Sequence, residues 1–122
     1  MIELLVLNLC HWAADYTQLS RPYMLAAKRL GKPLPPIFHH ALAHGVLMGL
    51  VAWLLFTNVL TAVGIIVFQA ATHFGIDVLK GRMNVWFPSL QNPANVYHWW
   101  VFGADQFLHQ AVIITICEIF LK

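Results

Sequence analysis

The sequence predicts an all-α polytopic membrane protein: four transmembrane helices in one bundle, with two interfacial cytoplasmic linkers. Three observations carry this prediction. Apolar residues make up 60% of the 122-residue chain and charged residues only 10%, where a soluble domain has about 25% charged. No Lys, Arg, Asp or Glu occurs from Pro33 to Ile76. Each of the three aspartates has a histidine four residues away in an apolar stretch. The composition excludes a disordered chain, and the small net charge of +2 argues against a polybasic nucleic-acid binder. Mean hydropathy is +0.69. Cys10 and Cys117 form no CxxC pair and read as small apolar core groups.

A membrane helix needs about 20 predominantly apolar residues. The chain reads as a single integral membrane domain, 1–122, with spans at about 1–19, 37–56, 59–79 and 99–121. The first holds Glu3, His11 and Asp15, and lacks the basic start and small-residue cleavage site of a signal peptide. It therefore reads as a retained span. The second and third meet at Thr57-Asn58 as a tight hairpin. The linkers are 20–36 and 80–98. In the first, Pro22 starts and Gly31 stops a short basic helix suited to an anionic leaflet. Trp86, Phe87, Tyr97, Trp99 and Trp100 cluster around the second as an aromatic belt. Six of the seven Lys and Arg lie in the linkers, with Lys122 the exception. The positive-inside rule makes the linker side cytoplasmic and puts both termini outside.

The polar residues within the spans come in pairs: His11 with Asp15, His40 with His44, His73 with Asp77, and Asp105 with His109. A spacing of four puts both members on one helix face. Each predicted span supplies one pair, and all fall in the cytoplasmic half, at one level of a bundle. A charge in hydrocarbon costs several kcal/mol and needs a partner. One resolution is a structural lock of Asp–His hydrogen bonds. The other is a divalent metal, since imidazole and carboxylate suit zinc first, with iron or manganese as alternatives. The eight side chains suffice for one ion with supporting groups, or for two. Asn8, Gln18, Gln69 and Gln106 are candidates for the supporting layer, and one of Asp15, Asp77 and Asp105 for a general base. His98, Arg21 and Arg82 are candidates for substrate contact. Lys28, Arg29 and Lys80 stand at the same rim, where cations also set topology. His39 is expected to face solvent or headgroups. Glu3 and Glu118 are too far along their helices to join.

HWAADYTQ, HHALAH, THFGIDVLK and DQFLHQ together resemble a domain of unknown function found in small bacterial and phage integral membrane proteins. That family carries an early H-x3-D-[FY]-x-x-Q, a histidine-rich second helix, a central H-[FL]-x2-D-x2-K and a late D-Q-x2-H. The resemblance covers almost the whole chain and implies a shared fold and polar core. It selects His11, Asp15, His40, His44, His73, Asp77, Asp105, Gln106 and His109. Gln18 comes one residue sooner than the family's pattern. No activity follows from the resemblance. A looser similarity, through H-x3-D elements, goes to membrane-bound metal-dependent hydrolases, whose HRxxTH and DxDH runs are absent here.

The function expected is metal-dependent hydrolysis of a lipid or headgroup substrate at the cytoplasmic leaflet. A metal-ion or proton transporter and a non-catalytic membrane protein with a structural metal stay open. Three aspartates argue against a haem site. The partners expected are membrane lipids, with no nucleic acid; a homo-oligomer stays open.

Overall fold

A computed structural model describes residues 1–122. The chain is all helical: α1 (Ile2–Tyr16), α2 (Pro22–Leu30), α3 (Leu34–Leu55), α4 (Val59–Trp86), a 3-10 turn (Pro88–Gln91) and α5 (Val96–Phe120). The expected short helix in the first linker is present as α2. Pro22 occupies its first turn, where a missing N–H costs nothing, and Gly31 closes it with φ 65°. The expected hairpin is also present. Asn58 caps α4, its side chain accepting from Thr61 N at 3.0 Å.

Three helices, α3, α4 and α5, are long and apolar enough to cross a membrane. The expected fourth span, α1, does not reach that length. α1 has 15 residues, roughly 22 Å at about 1.5 Å per residue, against a hydrocarbon core of about 30 Å. The sequence reading carried it to Leu19, but the helix stops at Tyr16 and Thr17 turns extended. α4 is longer than expected, running past Leu79 to Trp86, so Lys80–Trp86 belongs to a helix rather than to a linker.

The long helices touch in a closed ring, α1 and α4 each packing against both α3 and α5. The tightest approach is α3 on α4. A Cβ at Gly45 would lie 2.7 Å from Ile66 O, and one at Gly49 would lie 2.9 Å from Ala62 O, so only glycine lets the backbones meet there. One half of the interior is apolar, built from Leu7, Cys10, Met48, Ala52, Ile65, Ile113 and Ile116. The other half is polar. α2 lies against α3 and α4 beside it. There a Cβ on Gly81 would come within 2.1 Å of Gly31 N and 2.5 Å of Lys28 O. This backbone-to-backbone contact fixes where Lys28 points.

Candidate metal centre

The four helical pairs meet. His11, His40, His44, His73, Asp77, Asp105 and His109 are all buried, and Asp15 nearly so. Each reaches the interior because a spacing of four keeps both members of its pair on the ring's inner face. Five imidazoles form one cluster. His44 stacks on His73 with centroids 3.8 Å apart, His109 lies 4.2 Å from His73, and His11 lies 4.8 Å from His44. His40 closes it, 4.7 Å from His44.

Two carboxylates organise the cluster. Asp15 Oδ1 is 3.1 Å from His40 Nε2 and 3.2 Å from His44 Nε2, while its Oδ2 is 3.2 Å from His11 Nε2. Asp77 Oδ2 is 3.2 Å from His73 Nε2, and Oδ1 is 3.5 Å from His109 Nε2. Asp105 Oδ1 lies 3.5 Å from His109 Nε2. The contacts of Asp77 are close but lack hydrogen-bond alignment. Both its oxygens are buried without a hydrogen bond, as are His73 Nε2 and Asp105 Oδ1. A buried carboxylate in that state calls for a cation, and the Lys28 ammonium, 3.3 Å from Asp77 Oδ2, supplies one in this structure.

The donor atoms fall into two sets that could hold a metal ion, each within 4.8 Å: Asp15, His40, His44 and His73; and His73, Asp77 and His109. Ligands of a tetrahedral ion with bonds of about 2.0–2.1 Å lie about 3.3 Å apart. The separations of Asp15 from His40 and His44, and of Asp77 from His73 and His109, are close to that edge length. His73 is common to both, and its Nε2 can bind only one ion. His11 and Asp105 lie outside both sets.

The expected supporting residues divide. Gln69 Nε2 is 3.4 Å from His73 Nδ1, and Gln106 Nε2 donates to Asp105 Oδ2 at 3.1 Å. Asn8 donates instead to Leu4 O of its own helix at 2.9 Å. Gln18 is exposed beyond the end of α1, which stops too early to keep it on the face of Asp15. Arg21 is exposed at the start of α2, and no ion pair or hydrogen bond joins it or Arg82 to the cluster. His98 donates from Nδ1 to Leu90 O at 2.6 Å, outside the cluster. His39 is exposed, Cys10 is buried and Cys117 is half-buried.

Two lysines that were expected only at the rim reach inside. Lys28 Nζ lies 3.3 Å from Asp77 Oδ2, 3.6 Å from Asp15 Oδ1 and 3.0 Å from His40 Nε2. Burial pulls its pKa down, but the Asp77 and Asp15 carboxylates outweigh this and hold the ammonium charged above the usual lysine range. Lys80 Nζ lies 3.1 Å from Asp105 Oδ2. Ser20 Oγ, also not anticipated, lies 3.3 Å from His40 Nδ1. The signal for Lys28 was available: Met24, Ala27, Lys28 and Gly31 share one face of α2, and the other three are buried.

These features define a small helical protein of membrane type with a buried His/Asp centre that could hold a divalent metal. The chain belongs to the family described as Protein of unknown function (DUF3307), which it matches over residues 3–122. The resemblance drawn from the sequence therefore holds for the family. No curated protein and no solved structure matches the chain.

Proposed function

We propose that this protein is a metal-dependent hydrolase of the membrane interface, acting on a lipid or headgroup substrate reached from the linker side. The observation that carries the reading is the set His73, Asp77 and His109. Three protein ligands leave a four-coordinate ion one open position, the pattern of catalytic rather than structural zinc. His73, Asp77 and His109 would hold the ion, which would give the buried carboxylate of Asp77 a partner. Bound metal lowers the pKa of water toward about 7, supplying hydroxide at neutral pH. Asp105 belongs to neither donor set and keeps a buried oxygen without a hydrogen bond. It is the carboxylate assigned to take the proton, where the sequence left Asp15, Asp77 and Asp105 equal. Asp15, His40 and His44 then remain for a second ion or for support of the first. Zinc suits the donors best, with iron or manganese next.

The membrane arrangement is part of the proposal. α1 acts as a short fourth span, since Ile2, Leu5, Leu9, Trp12 and Tyr16 form an exposed apolar stripe suited to lipid. The linker side is cytoplasmic in a bacterial inner membrane, in line with its six cations and with the exposed ring of Trp86, Phe87, Tyr97, Trp99 and Trp100. Membrane lipids are then the immediate partners. The apolar half of the core offers no polar path onward, which favours hydrolysis over transport.

Elemental analysis of full-length protein purified without a histidine tag tests the centre. The expected result is about one transition-metal ion per chain, strongly reduced in Asp77→Asn. Metal-free wild-type protein that is folded and stable would leave the Asp–His lock as the better reading.

A further inference from the structure

Beside the centre lies a second feature that the proposed chemistry does not use. A cavity of about 300 Å³ opens between α2, α4 and α5, lined by Lys28, Arg29, Lys80 and His98 on its polar side, with Leu25 and Phe102 among its apolar lining. No Asp or Glu lines it. Its polar wall is held in place. Arg29 Nε donates to Gln91 Oε1 at 3.1 Å, and Asn84 Nδ2 donates to Arg29 O at 3.0 Å. Gln91 Nε2 donates in turn to Asn84 O at 3.1 Å, which ties α2, α4 and the 3-10 turn together around the opening. The ring of His98 is fixed through Nδ1 on Leu90 O. One of the five guanidinium donors of Arg29 is used here, and the others are open to an anion. Lys80 Nζ also sits 5.1 Å from the Phe102 ring centre, at the boundary between the charged and apolar lining.

We propose that this cavity binds a phosphate monoester, placing its anionic group within reach of Arg29, Lys28, Lys80 and His98 and its organic part against Leu25 and Phe102. Lys28 and Lys80 are already paired with Asp15, Asp77 and Asp105, so Arg29 supplies the unpaired positive charge toward a group that carries about −1.5 to −2 at neutral pH. A guanidinium that can engage two oxygens at once favours phosphate geometry. The cavity is near the lower end of ligand-pocket size, about 300–1,000 Å³, so it suits a headgroup-sized ligand. Lys28 joins the two sites: its side chain lines the cavity while its ammonium touches Asp15 and Asp77. The assignment of the phosphate as part of the substrate rests on the hydrolase reading; the binding of the anion does not. The monoester can come from a soluble compound or from a lipid headgroup.

The test titrates glycerol 3-phosphate into the full-length protein by calorimetry, in uncharged detergent and in phosphatidylcholine nanodiscs with or without phosphatidic acid. Saturable binding is expected, weakened about tenfold or more in Arg29→Gln and weakened also in His98→Gln, with circular dichroism unchanged. Arg29→Lys should recover part of the loss. Competition by phosphatidic acid assigns the site to a lipid headgroup, and its absence assigns it to a soluble monoester. No saturable binding, or binding equal in wild type and both Gln variants, overturns the pocket. Metal content is measured on the same samples. Phosphate binding by metal-free protein keeps the pocket and rejects the metal centre, whereas metal without phosphate binding rejects the pocket alone.

Discussion

Lys28 places a cation where the proposed metal would act, so its removal separates two accounts of the centre. Its ammonium lies 3.3 Å from Asp77 and 3.6 Å from Asp15. If those carboxylates are metal ligands, ammonium and metal compete, and Lys28→Met should raise zinc affinity by about tenfold or more. If they form a lock, the same variant leaves buried carboxylates uncompensated. It should then cost about 3–5 kcal/mol of stability with no gain in metal binding. Zinc titration and thermal unfolding of the same preparations decide between them. A second prediction concerns the last helix. His109→Ala should lose metal and turnover together, since His109 belongs to the three-ligand set. Asp105→Asn should keep the metal yet lower turnover of a nitrophenyl phosphate by about 10²–10⁴-fold, as for a missing general base. Metal loss in Asp105→Asn would return that residue to the ligands. Of these residues, the four pairs were legible from spacing alone, because one helical turn dictates one face. Their division into two donor sets was not, because it depends on distances between helices. Lys28 and Lys80 were read as surface cations, since a lysine's long stem lets it be counted at the rim while its ammonium lies inside.

At the scale of the elements, the seat of α2 on α4 decides where Lys28 points. Gly81→Ala would drive a methyl into Gly31 and the carbonyl of Lys28. Backbone cannot yield as a side-chain tip does, so a loss of about 1–3 kcal/mol is expected from overpacking, with Lys28 drawn away from Asp77. Gly75→Ala is the control. Its Cβ would meet nothing within 4 Å, and replacing a mid-helix glycine should stabilise by about 0.5–1 kcal/mol. Thermal unfolding of the two variants measures the contrast, and equal midpoints would show that the α2–α4 contact does not constrain α2. Helix cores were legible in the sequence and their ends less so. Pro22, Gly31 and Asn58 act locally, and each marks its boundary correctly. α4 was ended too early at Leu79 because Lys80 and Arg82 break the apolar run. Charge stops a membrane span but does not stop a helix, and the next residue unfavourable to helix continuation is Pro88. α3 starts earlier than expected, at Leu34, because prolines in a first turn give up no internal hydrogen bond.

Over the whole molecule, the polar centre and the apolar core divide the bundle lengthwise. The sequence reading made α1 a retained span, yet its 15 residues fall short of a full crossing, so its relation to the bilayer rests on packing. Met1, Glu3 and Leu4 line one cavity together with Ile114, Cys117, Glu118, Leu121 and Lys122. The two ends of the chain are therefore neighbours. His11 and Asp15, at the other end of α1, meet partners from α3, α4 and α5 in the polar centre. α1 thus runs alongside α5 over most of the bundle's polar-to-apolar length. If α5 crosses the membrane, the terminus beside its C-terminal end should emerge on the same face. The expected topology puts Met1 and Lys122 together outside, with Asn92 inside. If α1 lay on the cytoplasmic surface instead, α3 and α4 would still return the chain to the linker side, and only Met1 would change sides. The N-terminus is thus the informative position. Single cysteines at Met1, Asn92 and Lys122, in a chain whose own Cys10 and Cys117 are changed to Ala, can be probed in intact cells with a membrane-impermeant maleimide. Labelling is expected at Met1 and Lys122 and not at Asn92. Labelling at Lys122 alone would reduce the membrane domain to three spans and remove α1 from the bilayer. It would also require His11 and Asp15 to reach the centre from outside the hydrocarbon, contrary to the ring in which α1 packs between α3 and α5.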